Sequence, residues 1–133
     1  MPQENVEVVR RFLDALVLGN MEAVLAEVGP DVEVDDLDIT LDTDHYRGHD
    51  GFVRWLTVWN ESWDSWRIEG VEILPVGEER VISLFVMLVT GKGSRIELDR
   101  PDAVTYKLRE GKIVEIAYYN DQQQARKAVG LRE

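Results

Sequence analysis

The chain has 133 residues, 44% of them apolar, with no cysteine and a formal net charge of −11. That length and apolar share fit one folded domain, 1–133, and argue against a disordered chain, while the missing cysteines remove disulfides, thiolate nucleophiles and cysteine metal sites. Without a cluster of Lys and Arg the acidic balance argues against nucleic acid and anionic membranes as partners, and the lack of a basic leader or a bilayer-length apolar run makes a cytoplasmic location the expectation.

Residues 3 to 18 carry Val6, Val9, Phe12, Leu13, Leu16 and Val17 at helical spacing. Gly19 is a stop signal, and Asn20 caps a second helix that runs through Val24, Leu25 and Val28 to Gly29-Pro30. A short strand follows near Val32 to Leu37, and Ile39 to Asp44 read as irregular. Gly48-His49-Asp50-Gly51 opens a third helix, whose aromatic face is Phe52, Trp55, Leu56, Trp59 and Trp63.

From Trp66 the apolar period becomes two, giving strands at 66–75, 80–90, 95–109 and 112–120 with glycine-bearing turns between them. The phase slips at Gly70, where a bulge is expected. Asp121 caps a short final helix, with Gln124 placed for a capping box. Helices first and strands later predict an α+β fold.

Strand 80–90 is apolar on both faces, with Ser83, Phe85 and Met87 on one and Ile82, Leu84, Val86 and Leu88 on the other. A sheet with one wet face would alternate instead, so something covers each side. The helices cover one. A second copy of the chain, packed sheet to sheet as a homodimer, is the expected cover for the other, the alternative being the C-terminal helix.

Several segments resemble the SnoaL-like branch of the nuclear transport factor 2 superfamily. Arg11 to Leu16 followed by Gly19-Asn20 is similar to that family's first helix and stop. Tyr46-Arg47-Gly48-His49-Asp50-Gly51-Phe52 is similar to the segment opening its third helix, and Gly111 to Glu115 to its final hairpin. The resemblance covers nearly the whole chain. It implies a cone-shaped barrel, in which a curved, mostly antiparallel sheet wraps around three N-terminal helices, with a short C-terminal helix. It does not select a reaction, because this fold hosts many.

By resemblance to the ketosteroid isomerases, the general base falls on Asp36, where a carboxylate in an apolar cavity can shuttle a proton beside a carbonyl. That enzyme's oxyanion tyrosine falls on Phe12, and its oxyanion aspartate on Ala103 or Val104, so its donors are missing here. The epoxide hydrolase's Asp-Arg-Asp group, which activates water, falls on Phe85, Met87 and Tyr118, and is absent at those points. Tyr118 also takes the place of the SnoaL-like acid–base aspartate; it can donate a proton but is a poor base.

Other polar candidates follow from the pattern. Arg100 and Asp102 share one strand face, as an Arg–Asp pair at the cavity or as a rim salt bridge beside Pro101. The acidic residues between Asp31 and Asp44, including Asp38 and Asp42, do not match a calcium loop and read as a solvated acidic segment. His45 and His49 lack the helical setting of a zinc pair.

No metal and no cofactor are therefore expected. Phe12, Trp55, Trp59, Phe85 and Met87 are the expected pocket walls, suited to a small apolar or aromatic molecule with Asp36, Tyr118, Asp102 and Arg100 as polar contacts. An isomerase or cyclase working by acid–base chemistry and a non-catalytic binding or protein-interaction module both fit this sequence.

Overall fold

Apolar residues at helical spacing make the first element. Val6, Val9, Phe12 and Leu13 are buried along one face of α1 (Pro2–Leu18) in the computed structural model of the chain, which describes residues 2–38 and 44–131. Gly19, at φ 72°, ends the helix, and the N–H groups of Gly19 and Asn20 bond back to the carbonyls of Leu16 and Ala15. The Asn20 side-chain oxygen accepts from the Ala23 N–H at 3.2 Å and starts α2 (Met21–Ala26).

That second helix is shorter than the sequence pattern predicts. Val28, Gly29 and Pro30 belong to β1 (Val28–Asp36), not to α2. Val28 pairs with Ile113 and is buried there, which a helical continuation would not achieve.

β2 (Asp44–Arg47) was not expected. It pairs antiparallel with the end of β1, with Tyr46 opposite Val34 and Asp44 opposite Asp36. Of the irregular stretch expected from Ile39 to Asp44, Asp44 is thus in a strand, and 39–43, Asp42 among them, lie outside the described residues. α3 (Gly48–Ser62) buries Gly51, Phe52, Trp55, Leu56 and Trp59. Trp63 extends the aromatic spacing but not the helix: its backbone is extended and it opens β3 (Trp63–Val76) opposite Gly91.

β4 (Arg80–Gly91), β5 (Glu97–Arg109) and β6 (Lys112–Tyr119) complete a sheet of order β2-β1-β6-β5-β4-β3. All neighbours are antiparallel except β1 and β6. The pairing of β3 with β4 shifts between Glu69 and Glu72 around Gly70, which has φ 61°, at the expected bulge. The fold is α+β as the pattern and the resemblance predict, with a curved sheet that does not close on itself.

The main core lies between the sheet and the helices α1 and α3, and takes in Val34, Phe85, Tyr106 and Ile116. A second core lies on the other face of the sheet, under α4 (Gln122–Ala128), and contains Ile82, Leu84, Ala103, Tyr119 and Ala125. Asp121 caps α4 by accepting the N–H groups of Gln123 at 2.9 Å and Gln124 at 3.2 Å. Ile82 and Leu84 are thus covered by the C-terminal helix, the alternative to a partner subunit.

Candidate functional site

Strand alternation aims four polar side chains at the helical side of the sheet. Asp102 pairs with Phe85 and Arg100 with Met87, while Tyr118 pairs with both Val104 and Asp36. The register passes Pro101 unbroken, so the Arg–Asp spacing of two survives into the fold. Beyond β1 the Leu37 N–H bonds to the Tyr118 carbonyl at 2.8 Å, and this brings Asp38 inward behind Asp36.

Asp38 is a member of the candidate site that the sequence reading missed. Expected in a solvated acidic segment, it is 0% exposed and ion-paired with Arg100. The signal that would find it is its phase: it lies two residues after Asp36. Arg100 Nη2 also lies 2.9 Å from Asp102 Oδ2. An Asp–Arg–Asp group therefore exists after all, assembled from Asp38, Arg100 and Asp102 and not from Phe85, Met87 and Tyr118. The guanidinium carbon lies 5.5 Å from the Trp59 ring centre and 5.7 Å from that of Trp63.

Each carboxylate has distinct partners. Asp36 accepts the Trp55 Nε1–H on Oδ2 at 2.9 Å and the Asp38 N–H on Oδ1 at 3.0 Å. Asp102 accepts the Tyr118 hydroxyl on Oδ2 at 2.6 Å. Among the described residues its Oδ1 is buried without a hydrogen-bond partner, as is Trp63 Nε1. Gln122 fastens the strand beneath by donating to the Asp102 carbonyl at 3.0 Å and the Phe85 carbonyl at 3.2 Å.

Crowding several carboxylates into a dry site has an electrostatic cost, and it appears in their proton affinities. Burial pushes the Asp102 carboxyl up to about 6, against the hydrogen bond from Tyr118 and the charge of Arg100. Burial also raises Asp36, opposed by its bonds to Asp38 and Trp55. Burial and the neighbouring Asp102 hold the Tyr118 hydroxyl well above its ordinary value, so it stays a donor. Burial works against the charge of Arg100, but its bond to Asp38 and the charge of Asp102 prevail and raise it.

An apolar cavity of about 60 Å³ adjoins this cluster. Phe12, Trp55, Trp59, Phe85 and Met87, the five expected wall residues, all line it, together with Tyr118 and Tyr106. Asp36, Asp102 and Arg100 do not line it; they stand behind the rings of Trp55, Trp59 and Tyr118. Cavities that hold a benzene-sized guest measure about 150 Å³, so a ligand would have to part these walls. Leu13, Val17 and Ile68 line both the cavity and a surface groove between α1 and β3.

The histidines lie elsewhere. His45 sits on the opposite face of the sheet with Nδ1 2.5 Å from Asp35 and Nε2 3.4 Å from Glu33; its hydrogen bond with Asp35 raises its proton affinity. His49 Nε2 is 2.9 Å from the Val28 carbonyl. Among the described residues no group of three or more His, Asp or Glu is arranged to hold a metal ion.

A family model described as a SnoaL-like domain matches residues 9–116. No curated protein matches the sequence. Solved structures match over nearly the whole chain. A candidate polyketide cyclase from Xanthomonas campestris pv. campestris has 20% identity and a TM-score of 0.77, over 96% of this chain and 98% of that one. TerC, crystallised with polyporic acid, has 19% identity and a TM-score of 0.76 over the same shares. A nuclear transport factor 2-like protein of unknown function from Burkholderia pseudomallei K96243 has 19% identity and a TM-score of 0.78, over 95% and 97%. At these identities the likeness is one of fold.

Proposed function

The chain belongs to the SnoaL-like domain family, and from that membership and its buried carboxylates we propose that it binds a small apolar or aromatic molecule in the cavity and rearranges it by cofactor-free acid–base chemistry, as an isomerase or cyclase. The observation that carries this reading is Tyr118, whose ring lines the cavity while its hydroxyl bonds Asp102 at 2.6 Å. A carboxyl with a proton affinity near 6 is thus one hydrogen bond from the cavity wall.

In the proposed step, Asp36 removes a proton from the carbon beside a carbonyl. The step starts from protonated Asp102, the form favoured below about 6, with the Tyr118 hydroxyl turned from Asp102 to the carbonyl. The Tyr118 proton passes to the carbonyl oxygen as the Asp102 proton passes to Tyr118, leaving a neutral enol, a protonated Asp36 and an ionised Asp102. Return of a proton to a different carbon completes an isomerisation. Arg100 steadies the anionic Asp102. Trp55 both walls the cavity and caps Asp36, so its movement would widen the cavity and free the base together.

The test begins with native mass spectrometry to find a retained ligand. Turnover of that ligand, or of a panel of cyclic and aromatic carbonyl compounds, is then compared in wild type, Asp36→Asn and Tyr118→Phe. Loss in both variants supports the proposal, and unchanged turnover in Asp36→Asn sinks it. Addition of water in place of rearrangement would assign the Asp38–Arg100–Asp102 group to water activation.

A non-catalytic binding role is the second reading, favoured by the apolar lining and by carboxylates standing outside it. A ligand recovered unchanged after long incubation selects it. Assembly and location are part of the proposal too. Pairing of two copies would use the part of the outer face that α4 leaves open, near Val86 and Pro101. Among the described residues no helix is long and apolar enough to cross a membrane, and we propose a cytoplasmic, single-domain protein.

A further inference from the structure

A pair of hydroxyls behind the cavity wall has no part in the chemistry above. Ser83 on β4 and Tyr106 on β5 are 0% and 1% exposed. Their oxygens are 2.8 Å apart. Tyr106 lines the cavity, and Phe12 meets its ring edge-on at 6.0 Å. Two hydroxyls hold two O–H donors, and the bond between them uses one. Each oxygen thus has one partner, and the second O–H has none among the described residues. Burial raises the Tyr106 hydroxyl, so the pair stays fully protonated.

We propose that Ser83 and Tyr106 form a second polar anchor, donating a hydrogen bond to an oxygen on the part of the bound molecule away from Tyr118. The ligand class that satisfies both anchors is a short apolar or aromatic body with an acceptor oxygen at each end, such as a diketone or a keto ester. This rests on the reading of the cavity as a ligand site. The spacing supports it. Ser83 pairs with Val104, two residues along β5 from Asp102. Ser83 and Asp102, the residues the two tyrosine hydroxyls bond, are therefore diagonal neighbours across β4 and β5, their backbone positions about 7–8 Å apart. That is the reach of one para-substituted ring.

The test compares 1,4-diacetylbenzene with 4-ethylacetophenone, which keeps the ring and one carbonyl. Both are titrated into wild type and the double variant Ser83→Ala/Tyr106→Phe, and binding is read through the fluorescence of Trp55, Trp59 and Trp66 in the cavity wall. The double variant removes both hydroxyls together, so it leaves no orphan and is expected to fold. Relative to the double variant, wild type should prefer the diketone by roughly two- to tenfold, the worth of one net hydrogen bond. Binding of both probes with the same ratio in the two proteins overturns the anchor and leaves the cavity reading standing. Binding of 4-ethylacetophenone without the diketone also overturns the anchor alone, and failure of both probes to bind wild type overturns both readings.

Discussion

Tyr118 donates its hydroxyl hydrogen to Asp102 at 2.6 Å, while its ring forms part of the apolar cavity wall. One side chain thus joins two environments the fold otherwise separates. On one side lie apolar and aromatic groups; on the other lie Asp36, Asp38, Asp102 and Arg100, crowded and dry. The physical consequences of that crowding can be measured whether or not a ligand is known.

The first concerns pH. Asp102 titrates near 6 in the fold and at 3.8 when exposed. An acid whose folded value is raised costs stability in full above that value, and the cost fades as pH falls through about 6 towards 3.8. Asp36, also raised, acts with the same sign. So does His45, raised by Asp35: its contribution is complete below 6.5 and fades as pH rises through its higher folded value. Melting temperature should therefore rise between pH 7 and pH 5, with Asp102 supplying about 1 kcal/mol. Asp102→Asn should flatten the profile and raise the melting temperature most at pH 8. An equally steep profile in that variant would mean that Asp102 is ionised throughout.

Removing the positive charge should do more harm than removing a negative one. Arg100 holds Asp38 and Asp102, both 0% exposed, and lies over Trp59 and Trp63. Arg100→Met leaves those carboxylates buried without it, which typically costs about 3–5 kcal/mol. Adding Asp38→Asn and Asp102→Asn to the same chain should restore most of that loss, because neutral amides no longer need the guanidinium. Denaturant melts of the single and triple variants read this directly. A loss in the triple variant as large as in Arg100→Met would show that packing, not charge, is what Arg100 contributes.

Much of this was legible in the sequence, and the misses have physical causes. Helical and strand periods located α1, α3 and the four long strands, and Gly70 announced its bulge, because each rests on local pattern. The five residues expected as pocket walls line one cavity because inward-facing apolar residues must meet somewhere. Val28 to Pro30 were misplaced because burial against Ile113 is a long-range gain that outweighs a helical continuation. Asp38 was misread for a like reason: an aspartate in an acidic run is usually solvated, and its ion pair with Arg100, 62 residues away, is not visible in the local pattern. The Asp–Arg–Asp group was sought by resemblance at the wrong positions, although the Arg100–Asp102 pair stood in plain view.

Trp55→Phe isolates the link between cavity and base. It keeps an aromatic ring against Phe52 and Tyr118 but deletes the 2.9 Å bond to Asp36. Asp36 then keeps the Asp38 N–H and loses a bond that lowers its proton affinity. Stability at neutral pH should fall by about 1–3 kcal/mol, the cost of stranding a buried charged acceptor. Because the Asp36 titration moves up, the loss should shrink in acid. Stability curves at pH 7.5 and pH 5 measure both. A loss independent of pH would mean that Trp55 matters to Asp36 only as volume.

The outer face offers the last measurement. α4 is seven residues long, too short to hold its shape without its cap and its contacts. Asp121→Ala removes the acceptor that two N–H groups use and should cost about 1 kcal/mol. Fraying would expose Ile82, Leu84 and Ala103, which α4 now covers. Those residues would enlarge the open apolar area around Val86 into a patch of the kind that recruits a second copy. Native mass spectrometry of wild type and Asp121→Ala, over a range of concentrations, should show stronger self-association in the variant. If wild type is already a tight dimer and the variant falls to monomer, α4 is part of the subunit interface and not a lid over it.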